Sequence, residues 1–164
     1  MNTIGDHSMR FLPLGIDLHG RRCVVLGGGA VGTRKALTLL HAGAVVTVVS
    51  PDVTDELAAE IDEGRIAWVR GCYEEGHLTD AFLAVSATSD TALNAAIAAA
   101  AGERGILVCD ASSAQHSQII FGALCHIDDA TVAVFTDGSS PAGARQTRDR
   151  IAATLDRDRE ERLI

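Results

Sequence analysis

The sequence predicts an α/β protein: a doubly wound parallel sheet followed by a small α+β region. Three observations carry this. Apolar, β-branched runs alternate with Ala- and Leu-rich helical stretches between residues 22 and 110. Three glycines, Gly27, Gly28 and Gly29, separate the first such strand from the first helix. Beyond residue 110 the alternation stops, and two β-rich runs face each other across a polar turn.

Residues 1–10 are polar and without pattern, and are expected to fray. Phe11-Leu12-Pro13-Leu14 is a short apolar segment, and 17–21 reads as a turn. The run 22–26 is short, continuous and apolar, which suits a strand buried on both faces. Residues 30–42 turn helical, with Gly43 as the C-terminal stop. A second β-branched strand covers 44–50, ended by Pro51-Asp52. Residues 54–63 form a short acidic helix closed by Gly64, and 66–70 a third strand. The stretch 71–80 is turn-like. A fourth strand spans 81–87; Thr88-Ser89-Asp90 then caps a helix over 91–103, with Gly105 after it. The fifth strand is 106–110. Runs 118–124 and 131–136 read as an antiparallel pair joined at Asp128-Asp129. Pro141 opens a last helix that reaches at least residue 155, and the tail is highly charged.

Bulk composition bounds the function. At 47% hydrophobic and 4% aromatic, the core is aliphatic. No apolar run approaches the roughly 20 residues that cross a bilayer, and the N-terminus lacks the order of a signal peptide. A cytoplasmic protein is expected. The net charge of −8 argues against nucleic acid or an acidic membrane as partner. The only lysine is Lys35. Cys23, Cys72, Cys109 and Cys125 form no CxxC, and Cys23 and Cys109 read as small core residues. The six histidines show no metal-ligand spacing, so no metal site is expected.

Gly27-x-Gly29-x-x-Gly32 lies between a predicted strand and a predicted helix, where the Rossmann dinucleotide fingerprint belongs. Gly27 permits the tight turn, Gly29 lets the backbone approach a pyrophosphate, and Gly32 lets the helix pack on the strand. The helix N-terminus adds free N–H groups and partial positive charge. The acid that grips the adenosine ribose is expected at the end of the second strand. Ser50 stands there, and Asp52 follows two residues on. With no arginine near that strand end in the sequence, NAD is expected rather than NADP.

Tyr73 is not followed by the Tyr-x-x-x-Lys spacing of short-chain dehydrogenases, because residue 77 is His. The acid/base candidates follow strand five: Asp110, Ser112, Ser113 and His116, at a strand end that faces the ligand in doubly wound sheets. Asp110 and Ser112 are two apart and share a side of an extended chain. Turn capping is the competing role for Asp110, and a solvated loop position that for His116.

Together these segments resemble the NAD-dependent precorrin-2 dehydrogenases, which also form the N-terminal module of siroheme synthases. The resemblance rests on Phe11-Leu12-Pro13-Leu14, VVLGGGAVGTRKA (24–36), GAVVTVVSP (43–51), FLAVSATSDTALN (82–94), IIFGAL (119–124) and VAVFTDGSSPAGAR (132–145), in the family's order. It implies oxidation of precorrin-2, a tetrapyrrole, to sirohydrochlorin with NAD taking the hydride. It implies nucleotide contacts at Ala30, Val31, Pro51 and Asp52, with Thr88 near the cofactor. The family's loop aspartate, its acid/base, falls on Ser112 in a gapless match and on Asp110 if the loop is shifted. Ser140, Arg145 and His116 are the expected substrate contacts, with Arg148 and Arg150 adding positive charge for the substrate carboxylates.

The resemblance further implies a homodimer, with 1–112 as the NAD-binding domain and 113–164 as a dimerisation and substrate-contacting region. The family's usual terminal helical domain is expected to be absent, since the sequence ends soon after the Ser-Pro-x-x-x-Arg helix. Two other readings compete: a non-catalytic NAD-sensing module, and metal insertion into sirohydrochlorin, for which His116 and His126 are the hints.

Overall fold

The computed structural model describes residues 10–161, with side chains through Leu155. The expectation of fraying at the N-terminus falls almost wholly outside these residues, as does the end of the charged tail. The chain forms two compact units, Gly15–Ile119 and a second one made of the N-terminal segment to Leu14 together with Ile120 onward.

The first unit is a five-stranded parallel sheet with strand order β3-β2-β1-β4-β5. Its elements are β1 (Arg22–Gly28), α1 (Ala30–His41), β2 (Val45–Val53), α2 (Asp55–Asp62), β3 (Ile66–Arg70), β4 (Leu83–Ser86), α3 (Thr91–Glu103) and β5 (Leu107–Asp110). Val24, Val25, Leu26, Val46, Val48, Leu83, Val85 and Val108 are almost wholly buried, as the continuous apolar runs require of strands covered on both faces. Each such side chain contributes roughly 1.5–3 kcal/mol through burial. Leu39 of α1, Leu57 of α2 and Ile97 of α3 are equally buried. Truncating one of them to Ala costs about 2–5 kcal/mol.

Local chemistry sets the helix limits. Thr54 caps α2 by accepting from Leu57 N–H at 3.3 Å. Asp90 caps α3 by accepting from Ala92 and Leu93 N–H at 2.9 and 3.1 Å. The interior of α3 is mostly alanine, the strongest helix former. Gly43 and Gly105 take the left-handed conformation after α1 and α3, where a Cβ would be strained.

The second strand differs from the sequence reading. β2 does not end at Ser50: a register shift between Leu26 and Gly28 carries the pairing on to Val53. Pro51 is tolerated because the irregularity needs no ladder hydrogen bond from it. As the turn-like stretch 71–80 leads one to expect, no α-helix joins β3 to β4. That link is a single 3₁₀ turn, Glu75–Leu78, held by Arg22, which donates to the carbonyls of His77 and Thr79 at 3.0 and 3.1 Å.

The second unit holds an antiparallel pair, β6 (Ala123–Ile127) and β7 (Ala130–Val134), and α4 (Pro141–Glu161). The turn is at Asp128-Asp129, as expected, with Asp128 at φ 50°. β6 starts later than the apolar run 118–124 suggests. Gln118 and Ile119 instead donate to Val108 O at 2.9 and 3.1 Å, so the start of that run is committed to β5. Pro141 begins α4, where a missing N–H costs nothing. Among the described residues no helix is long and apolar enough to cross a membrane.

Candidate functional site

The C-terminal ends of β1, β2, β4 and β5 lie on one edge of the sheet, and the strand order reverses between β1 and β4. In doubly wound sheets the ligand crevice opens at that edge. The glycine turn stands there. Gly27 has φ 118°, and a Cβ on it would meet Ala87 O and Thr88 N at the end of β4. A Cβ on Gly32 would collide with the Gly27 carbonyl. Gly28, which the fingerprint does not include, is locked as tightly against Asp52 O and the side chains of Val53 and Ser50.

Gly29 is different. It is the N-cap of α1, and a Cβ there would have nothing within 4 Å. Its carbonyl receives Thr33 N–H at 2.9 Å, closing the first helical turn. Having no side chain, it leaves the N–H groups of that turn uncapped. Gly29, Ala30 and Val31 are exposed. A bare, positively polarised helix end with open space above a side-chain-free residue fits a pyrophosphate.

The end of β2 supplies the next group. Ser50 is buried, and its carbonyl accepts from Trp68 Nε1 at 2.9 Å. Pro51 and Asp52 are exposed. The sequence reading that no arginine lies near this strand end is wrong. Arg70, paired in register with Ser50, donates through Nε to Pro51 O at 3.2 Å and lies 3.8 Å from the Asp52 carboxylate. Parallel pairing of β2 with β3 brings it there.

At the end of β4, Thr88 is fixed by Asn94. The Thr88 N–H and hydroxyl donate to Asn94 Oδ1 at 2.9 and 2.8 Å, and Asn94 Nδ2 donates to Thr88 O at 3.1 Å. Asn94 is buried on the inner face of α3 and also reaches Ser112 Oγ at 3.4 Å. Sequence reasoning did not single it out as a site residue. Its signal was the Asp90–Asn94 spacing, which puts a cap and a buried amide one turn apart.

The end of β5 carries the acid/base candidates, and the structure joins three of them. Asp110 Oδ1 accepts from the Ser112 N–H at 2.8 Å and from its hydroxyl at 2.5 Å. Asp110 Oδ2 faces His116 Nδ1 at 2.9 Å. Ser117 Oγ accepts from Asp110 N–H at 2.9 Å and fixes its backbone. Burial pushes the Asp110 carboxyl up; the Ser112 hydroxyl, His116 and the Ser112 N–H together outweigh it and hold it below the usual carboxylate range. Asp110 is thus both a turn cap and a charged centre. Ser113 caps the short turn Ala114–His116 that presents the histidine.

The expected substrate contacts Ser140 and Arg145 belong to the second unit. Ser140 Oγ accepts from Gly143 N–H at 3.1 Å at the start of α4, and Arg145 is exposed one turn later. Arg148 is already engaged: it donates to Leu124 O at 2.9 Å and pairs with Asp149 at 2.7 Å. Arg150 is exposed. His126 meets Thr131 Oγ1 at 3.0 Å across the hairpin.

Residues 14–123 match the family described as NAD(P)-binding. The siroheme synthase of Photorhabdus laumondii is 35% identical over 147 residues, covering 90% of this chain and 31% of that protein. The siroheme synthase of Chromobacterium violaceum is 40% identical over the same length and shares. The chain therefore spans about a third of the length of these relatives. Among solved structures, SirC, a precorrin-2 dehydrogenase, matches with a TM-score of 0.76 at 30% identity, over 88% of this chain and 71% of that one.

Proposed function

Because the chain belongs to the NAD(P)-binding family of precorrin-2 dehydrogenases and siroheme synthase N-terminal modules, we propose that it is an NAD-dependent precorrin-2 dehydrogenase, a cytoplasmic homodimer that forms sirohydrochlorin. One observation carries this reading. The same sheet edge holds a bare helix N-terminus suited to a pyrophosphate and, two strands away, a carboxylate–hydroxyl–imidazole cluster suited to moving a proton.

The chain's residues divide the work. Gly27 lets the turn approach the end of β4, Gly32 lets α1 pack on β1, and Gly29, Ala30 and Val31 hold the pyrophosphate through backbone N–H groups. Ser50, Pro51 and Asp52 line the adenosine end, where the Asp52 carboxylate accepts from ribose hydroxyls; this favours NAD. Thr88, fixed by Asn94, borders the cofactor at the end of β4. Bound nicotinamide supplies the hydride-accepting carbon. Asp110 and Ser112 belong to the hydrogen-bonded cluster through which the accompanying proton leaves. Ser140, Arg145 and His116 contact the tetrapyrrole, with Arg145 meeting its carboxylates. Residues 113–164 serve as the dimerisation and substrate-contacting region, and the exposed Leu124 and Leu155 of the second unit support burial against another chain.

The sensing and metal-insertion readings are less favoured, since a dehydrogenase matches most of this chain. Anaerobic incubation with precorrin-2 and NAD should yield NADH and the sirohydrochlorin spectrum together. Folded protein that binds NAD but leaves precorrin-2 unchanged would exclude the proposal.

A further inference from the structure

We infer that the proton acceptor is Nε2 of His116, with Asp110 as the positioning residue behind it. This rests on the dehydrogenase reading above and specifies which group meets the substrate.

The geometry separates the three members of the cluster. The Asp110 side chain has 0% exposed surface, whereas that of His116 is 47% exposed. Both Asp110 oxygens are engaged, Oδ1 by Ser112 and Oδ2 by His116. A macrocycle has no approach to that carboxylate. The Ser112 hydroxyl donates its only proton to Asp110 and receives Asn94 Nδ2, which leaves it oriented but weakly basic. His116 faces the carboxylate through Nδ1, and that contact selects the tautomer with the proton on Nδ1. Nε2 then carries the lone pair, and it has no hydrogen-bond partner among the described residues. Imidazole is also the side chain whose proton affinity suits transfer near neutral pH.

The step balances. One C–H bond of the substrate breaks and its hydrogen leaves with both electrons for nicotinamide, the oxidant. A second C–H or N–H bond releases its proton to Nε2. The macrocycle gains a double bond and is oxidised by two electrons. The imidazolium is stabilised by Asp110 and returns its proton to water. Ser112 and Asn94 keep the carboxylate oriented, the part that the third member plays wherever a buried acid holds a catalytic imidazole.

The test compares wild type, H116Q, H116A and D110N. Turnover of H116Q should fall by about 10²-fold or more, while NAD affinity by calorimetry stays at the wild-type value. Added imidazole should restore part of the H116A rate. Nitrogen NMR of the wild-type ring should read the Nδ1–H tautomer at neutral pH, and D110N should lose that preference. Wild-type turnover is measured first, and its absence would overturn the dehydrogenase reading and this proposal with it. Wild-type turnover retained by H116Q, or an Nε2–H tautomer in the wild type, overturns the dyad alone.

Discussion

Arg70 lies 3.8 Å from the Asp52 carboxylate and holds the Pro51 carbonyl at 3.2 Å. The residue proposed to grip the adenosine ribose therefore has a cation beside it. Asp52 alone would repel a 2′-phosphate; Arg70 offsets that repulsion and offers a charge-assisted partner. R70Q should weaken NADP binding by roughly tenfold, the loss of one charge-assisted hydrogen bond of about 1.5 kcal/mol, and leave NAD binding near wild type. Calorimetric titration with both dinucleotides reads this. Equal loss for both would mean that Arg70 acts only on the fold of the strand end.

The two ends of the glycine fingerprint should respond oppositely to a methyl group. A Cβ at Gly29 enters open space, whereas one at Gly32 strikes the Gly27 carbonyl. G29A should cost at most about 1 kcal/mol of stability and yet weaken NAD binding strongly. G32A should lower thermal stability and NAD binding together. Paired melting curves and titrations distinguish the two cases, and intact NAD affinity in G29A would contradict the proposed cradle.

Asp110 should shape the acid limb of stability. Its carboxyl is held below the usual range in the folded chain, so the charged form favours folding. That contribution is complete above the unfolded value of about 3.9 and is lost as pH falls through the lower folded value. D110N should therefore be less stable than wild type at neutral pH, with the gap closing below about pH 4. Urea unfolding at a series of pH values measures it. A gap that widens in acid would mean that the sign is reversed.

The cysteines should divide by burial. Cys23 and Cys109 are buried and Cys72 is exposed. Burial pushes the Cys23 thiol up to about 11 and raises Cys109 as well. A thiol reagent on folded protein should label Cys72 first and leave Cys23 and Cys109 unmodified until denaturant is added. Mass spectrometry locates the labels, and early modification of Cys23 would indicate a β1 that opens readily.

The parallel sheet is legible in the sequence because strands buried on both faces are unbroken apolar runs, as Val24–Leu26 and Leu83–Val85 are. The helix caps Thr54 and Asp90 are legible because their chemistry is local. The start of β6 is not, because Gln118 and Ile119 answer to Val108, a partner that no periodicity names. The same holds at the site. The glycine turn has its geometry written in adjacent residues. Arg70 reaches Asp52 only through strand pairing, and Asn94 reaches Thr88 and Ser112 only through the packing of α3. Asp110, Ser112 and His116 are near in sequence, but which of them is buried depends on the turn that follows β5.

The proposed reaction is a two-electron oxidation of precorrin-2 with NAD. The direct test is a single-turnover reaction without oxygen, with protein in excess of precorrin-2, in which NADH and sirohydrochlorin are quantified from the same sample. One NADH should form for each macrocycle oxidised, on one time course. Sirohydrochlorin formed without NADH, or no oxidation in protein that has bound NAD, would contradict it.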